Sequence, residues 1–124
     1  MKNFIGGLLI KLGINRTYLG HQATLCSVMI AIENEMSLLN IIRDIYTPVS
    51  ETLNCKTECV ERNIRTVIFI AWKNNKSLLE EISGIELDTP PTVSQFIDII
   101  ANYTLRNNEP EENRNVILVD TVNK

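Results

Sequence analysis

Hydrophobic residues recur every three or four positions along most of the chain, a spacing that favours amphipathic α-helices over strands. Proline, glycine and polar capping residues divide this pattern into separate helices. The pattern predicts an all-α fold of about six helices without a sheet. The predicted helices are one ending at Gly13, Tyr18–Asn34, one from Ser37 to before Pro48, Pro48–Leu53, Glu58–Asn74, Lys76–Ser83 and one from Thr92 or Ser94 to Leu105.

The regular pattern covers residues 1–107, which we predict to form one domain. Residues 108–124 are mostly polar and charged, and we predict a disordered tail. The apolar patch Val116–Val119 within this tail has no explanation in the pattern. No apolar run is long enough to span a bilayer, and the start of the chain lacks the features of a signal peptide. We therefore expect a soluble cytoplasmic protein that does not contact a membrane.

Charge is unevenly distributed along the 124 residues, whose net charge is −3. Five cations and two anions lie between Cys55 and Lys76, so that segment carries a charge of +3. Most of the acidic residues follow Ser77. This distribution favours a local anion-binding surface, because an acidic remainder weakens non-specific attraction to nucleic acid.

A helix-turn-helix is predicted across Pro48–Trp72. This motif needs a small residue where the second helix crosses the first, and a turn residue that tolerates a left-handed conformation. Ser50 is small, and Asn54 is the best residue for that turn after glycine. Val60 and Ile64 lie four residues apart and begin an apolar face on the following helix, which continues with Val67, Ile68 and Ala71.

The opposite face of that helix is charged near its N-terminal half, where a recognition helix meets base edges. Arginine can bond guanine bidentately, and a carboxylate can accept a hydrogen bond from cytosine. Glu61 and Arg62 are therefore candidate base readers, whereas Lys56 and Lys73 suit phosphate contacts. A plain helical bundle with a charged outer face explains the same pattern.

Other chemistry finds little support in the sequence. Cys55 and Cys59 have the spacing of a metal-ligand pair, but no histidine or second pair accompanies them. The single histidine, His21, is expected to have a surface or capping role. The chain carries no phosphate-binding glycine loop, nucleophile elbow or metal motif. We therefore expect a protein that is not an enzyme and that uses no cofactor and no metal.

The stretch Cys59-Val-Glu-Arg-Asn-Ile-Arg65, followed by Ile70-Ala-Trp72, resembles the recognition helix of the stage-zero sporulation protein A family. These are the master response regulators of endospore formation. Their C-terminal effector domain typically has Arg-Val-Glu-Arg-Ala-Ile-Arg and then Val-Ala-Trp. The similarity continues through Ile45-Tyr46 and Val49–Asn54, and it covers about Ile5–Asn107.

The resemblance implies an effector domain of six helices, of the winged or response-regulator type, that binds short promoter boxes in double-stranded DNA. It further implies tandem homodimers on DNA and a contact with the sigma factor of RNA polymerase. The base-reading glutamate and arginines of the family fall on Glu61, Arg62 and Arg65. The predicted DNA-contacting residues are Lys56, Glu58, Glu61, Arg62, Arg65, Thr66 and Lys73.

The sequence departs from the family at three positions of this helix. Cys59 replaces an arginine, and Thr66 replaces a basic residue or a histidine. Both changes put the DNA affinity and the sequence of the preferred box in question. Phe69 replaces a charged residue, and we expect it to pack under the last helix. The family also has an N-terminal receiver domain, whereas Met1 directly precedes the effector-like region. This start predicts a stand-alone relative or an excised domain.

Two functions follow from these observations. The first is a sequence-specific transcription regulator that inserts Glu58–Phe69 into the major groove. The alternative is a helical interaction module without useful DNA affinity. Such a module would dimerise with or titrate a full-length regulator through its last helix, Thr92–Leu105.

Overall fold

The computed structural model describes residues 1–108, and every regular element in that range is helical. This confirms the predicted all-α class. Most of the tail predicted for 108–124, including Val116–Val119, lies outside the described residues. The elements are α1 (Lys2–Lys11), α2 (Leu19–Glu33), a 3₁₀ segment (Glu35–Asn40), a π segment (Ile42–Tyr46), α3 (Thr47–Leu53), α4 (Thr57–Ser83) and α5 (Val93–Asn107).

The central helix is α2, which packs against α1, α4 and α5. Ala23, Val28 and Ala31 are buried in its interfaces with neighbouring helices. His21 is buried as well, and its Nδ1 lies 3.3 Å from the carbonyl oxygen of Ile14. The expected surface role of His21 is therefore wrong, because residue 21 falls on the face of α2 that turns inward.

A close helix crossing lies at Gly20, at the start of α2. A Cβ atom there would meet Val67 Cγ2 at 2.7 Å and the carbonyl oxygen of Asn63 at 2.9 Å. Both contacts belong to α4, so the missing side chain of Gly20 allows α4 to approach α2. This approach sets the position of the helix that carries most of the candidate site.

We expect Gly20→Ala to lower the free energy of unfolding by about 1–3 kcal/mol, because the backbone of Asn63 cannot move aside cheaply. Gly7→Ala is the matched control, since a Cβ there meets nothing within 4 Å. Alanine favours the helix over glycine, so the control variant should be as stable as the wild type or about 0.5–1 kcal/mol more stable. Urea unfolding of both variants measures this. Equal stability of the two variants would contradict the close crossing.

The third helix differs from its prediction. Residues 35–46 form a 3₁₀ segment followed by a π segment instead of one α-helix, and the cap is Asn34. The Asn34 side chain accepts a hydrogen bond from the Met36 N–H at 3.1 Å, while Ser37 is buried. The predicted break at Thr47-Pro48 is also absent. Pro48 lies in the first turn of α3, a position that proline tolerates because its fixed φ suits a helix.

The predicted fifth and sixth helices join as α4, which is interrupted at Asn75. Asn75 has the non-helical dihedral angles φ −154° and ψ 62°. Its side chain donates to the carbonyl oxygen of Lys11 and accepts from the Leu78 N–H, both at 3.2 Å. A side chain that caps the second half of α4 and binds the end of α1 explains why the axis changes there.

The last helix begins as predicted. Thr92 caps α5 by accepting from the Gln95 N–H, and the Gln95 side chain accepts from the Thr92 N–H in return. The buried face of α5 consists of Val93, Phe96, Ile97, Ile100, Ala101 and Thr104.

Candidate nucleic-acid interface

The turn between α3 and α4 has the predicted geometry. Asn54 adopts the left-handed conformation with φ 54° and ψ 51°, and it is the only non-glycine residue in 1–108 with a positive φ. The Cys55 N–H donates to the carbonyl oxygen of Ser50 at 2.9 Å. Ser50 itself is buried, as a small residue at this crossing should be. The predicted helix-turn-helix geometry is therefore confirmed.

The inner face of α4 holds the helix against the domain. Its buried residues in the first half are Val60, Ile64, Val67, Ile68 and Ala71. All five belong to the apolar face predicted from the spacing. With roughly 100° between successive residues, this burial directs the remaining side chains outward.

The predicted DNA-contacting residues accordingly lie on one surface. The turn residue Lys56 precedes α4, and Glu61 is half-buried at the edge of the outward face. The exposed members on α4 are Glu58, Arg62, Arg65, Thr66 and Lys73. Lys56 occupies the cap position of α4, and Thr57 Oγ1 donates to Glu58 Oε1 at 3.2 Å.

Two of the predicted base readers bind each other. Arg65 donates from Nη2 and Nε to Glu61 Oε1 at 2.7 and 3.2 Å, as expected for oppositely charged residues four apart on a helix. The phenol of Tyr46 lies near this pair. Burial raises the pKa of Tyr46, and the Glu61 carboxylate adds to the effect while Arg65 opposes it. The sequence did not indicate Tyr46 as a neighbour of the site.

Arg62 differs from Arg65. Within residues 1–108, Arg62 has no carboxylate within ion-pair distance. Its backbone carbonyl accepts a hydrogen bond from Thr66 Oγ1 at 3.0 Å, so the Thr66 hydroxyl already binds the helix. Arg62 is therefore the cation at the centre of the face that is best able to meet an anionic or base acceptor.

Phe69 does not pack beneath the last helix as expected. Its side chain is 54% exposed, and the ammonium of Lys73 lies 4.8 Å from the centre of its ring. Phe69 is exposed because it lies seven residues after Arg62 on α4, which puts both side chains on the outward face. A cation over an aromatic face is a favourable arrangement that also fixes where Lys73 points.

The two cysteines of the turn are neighbours. Partial burial raises the pKa of Cys55, and a hydrogen bond with Cys59 raises it further. Cys59 Sγ also accepts from Asn63 Nδ2 at 3.2 Å. A raised pKa disfavours the thiolate that metal binding requires.

Two packed helices, α3 and α4, are joined by a left-handed turn, and the second of them is long and has a charged outer face. This arrangement defines a helix-turn-helix domain. Residues 5–104 of this chain match the family model described as Sporulation initiation factor Spo0A C terminal. The chain belongs to this family, and the resemblance inferred from the recognition helix is confirmed. The family comprises DNA-binding effector domains of sporulation initiation, and it is a regulatory family and not an enzyme family.

No curated protein matches the chain in a sequence comparison. None of the helices within residues 1–108 is both long enough and apolar enough to cross a bilayer.

Proposed function

We propose that this chain is a sequence-specific transcription regulator of the sporulation-initiation type, which places the N-terminal half of α4 in the major groove. The observation that carries the proposal is the outward face of α4, where Arg62 and Arg65 are exposed in the N-terminal half of the helix that follows the Asn54 turn. A helix that is anchored by one apolar face and presents arginines on the other has the arrangement of a recognition helix.

The proposed contacts divide into two kinds. Arg62, Arg65 and Glu61 face the base edges, and Lys56 and Lys73 lie at the two ends of the surface and bind phosphate. The Glu61–Arg65 pair has to open, or to dock as a unit, when DNA binds. Glu58 and Thr66 complete the surface as shorter side chains beside the arginines.

The family further suggests a homodimer on tandem boxes and a contact with the sigma factor. We include both as proposed partners. The outward side of α5 is mostly polar, with Gln95, Asp98 and Asn102 exposed. This composition does not favour the alternative function, in which α5 is the surface of a module that titrates a full-length regulator.

Binding to a duplex with the promoter box of the family, against a scrambled duplex, tests the proposal across a salt series. We expect preference for the box, and a slope of log K against log salt of about −2 to −4, because four cations lie on the surface. The duplexes have equal length and composition, so non-specific attraction cancels. Absence of preference at every salt concentration would redirect the function toward a protein partner.

A further inference from the structure

A groove of about 470 Å³ lies beside the candidate DNA surface, between the π segment, α4 and the start of α5. Two of its lining side chains, Ile42 and Phe69, are 62% and 54% exposed. Its floor includes the buried side chains of Tyr46 and Ile68. Exposed aliphatic and aromatic surface gathered in a concavity favours an apolar occupant.

The groove is continuous with the base-reading surface, because Glu61 and Arg65 also line it. Any chain that fills the apolar part therefore lies against the Arg65 side chain. Occupation of the groove and contact of Arg65 with DNA compete for the same space.

We propose that the C-terminal segment Val116–Val119 of the same chain binds this groove and covers Arg65. The binding itself rests on the groove and the tail, and its consequence for DNA rests on the proposed function above. The segment has the sequence Val-Ile-Leu-Val, the longest apolar run that follows α5. Its four side chains match the apolar lining of the groove.

The connecting chain is long enough. The groove includes Val93 and Ser94 at the start of α5, and that helix of 15 residues ends at Asn107. At 1.5 Å per residue the helix spans about 22 Å. The eight residues from 109 to 116 can extend over about 26–29 Å. The tail can therefore return along α5 and reach the groove.

Complementary charge also favours docking of the tail in the groove. The stretch between α5 and the apolar segment carries Glu109, Glu111 and Glu112 against a single cation, Arg114. The segment from Cys55 to Lys76 is the basic part of the chain, and within it the exposed Lys73 lies over the ring of Phe69, which lines the groove. Attraction between the acidic connection and this basic segment favours the docked tail.

The docking is tested in the full chain by ¹⁵N NMR on the double variant Ile117→Asp with Leu118→Asp. We expect amide shift changes at the groove residues that carry an amide proton, namely Ile41, Ile42, Tyr46, Glu61, Arg65, Ile68, Phe69 and 92–94. Thr121→Asp with Val122→Asp is the matched control, because it adds two carboxylates to the tail outside the apolar segment, and it should leave these amides unchanged. Unchanged groove amides in the double variant would overturn the proposal.

A reciprocal variant protects the test against effects of the added charges. Phe69→Ser should shift the amides of residues 116–119, whereas Ile85→Ser should not, although Ile85 is even more exposed, at 62% against 54%. Wild-type groove shifts that grow with protein concentration would show a second copy in the groove and would overturn docking within one chain.

The consequence for DNA is measured separately. We expect the double variant to bind the box duplex about 3- to 10-fold more tightly than the wild type, as when the tail covers the groove in about 70–90% of molecules. Equal affinity despite the NMR changes would overturn the competition. Failure of both proteins to bind DNA, with the NMR changes present, would reject the proposed function and leave the docking intact.

Discussion

Replacing Arg62 with alanine is expected to weaken binding to the preferred duplex by about 1–3 kcal/mol, which is roughly 5- to 150-fold. Arg62 is exposed at the centre of the outward face of α4, and no carboxylate holds it within residues 1–108. A guanidinium in that position can donate two hydrogen bonds to one guanine. The variant should also lose discrimination at one base pair of the box.

Lys73→Ala separates base reading from charge. Lys73 lies on the same face, where its ammonium is held over Phe69, and it is assigned to phosphate. Its loss should weaken binding to all duplexes alike and reduce the salt slope by about one. Titrations of both variants on the box, on single-base variants of the box and on a scrambled duplex make the comparison. If Arg62→Ala behaved like Lys73→Ala, Arg62 would not read a base.

Replacing Phe96 with alanine is expected to lower the free energy of unfolding by about 3–5 kcal/mol. Phe96 is fully buried on α5 and is the largest of the fully buried side chains. Truncation removes buried apolar area and leaves a cavity between helices that are already closely packed. Since α5 packs against both α2 and α4, the loss affects the elements that support the site.

Leu105→Ala on the same helix is the control, because that side chain is 46% exposed. It should change the unfolding free energy by less than about 1 kcal/mol. Urea or thermal unfolding, with the slope of the transition compared between variants, gives the result. A small loss for Phe96→Ala would mean that α5 contributes little to the core and is not firmly attached.

The local features of the site could be predicted because they depend on residues close together in the chain. Asn54 tolerates a left-handed turn, and Ser50 lies four residues before it. The apolar residues from Val60 to Ala71 repeat at helical spacing, so both the buried face and the outward arginines follow from the helix geometry. Thr92 likewise predicted the start of α5, because a capping box involves only four consecutive residues.

Tertiary structure decided everything that depends on residues far apart in the sequence. Asn75 bends α4 because its side chain binds the carbonyl of Lys11, and Gly20 matters because Val67 and Asn63 lie against it. Burial of His21 and exposure of Phe69 reversed their expected places, since periodicity gives the direction of a side chain but not the neighbour it meets. The sequence by itself therefore determined the helix-turn-helix and its charged face, and only the packing of α1, α2 and α5 decided where that face lies and what borders it.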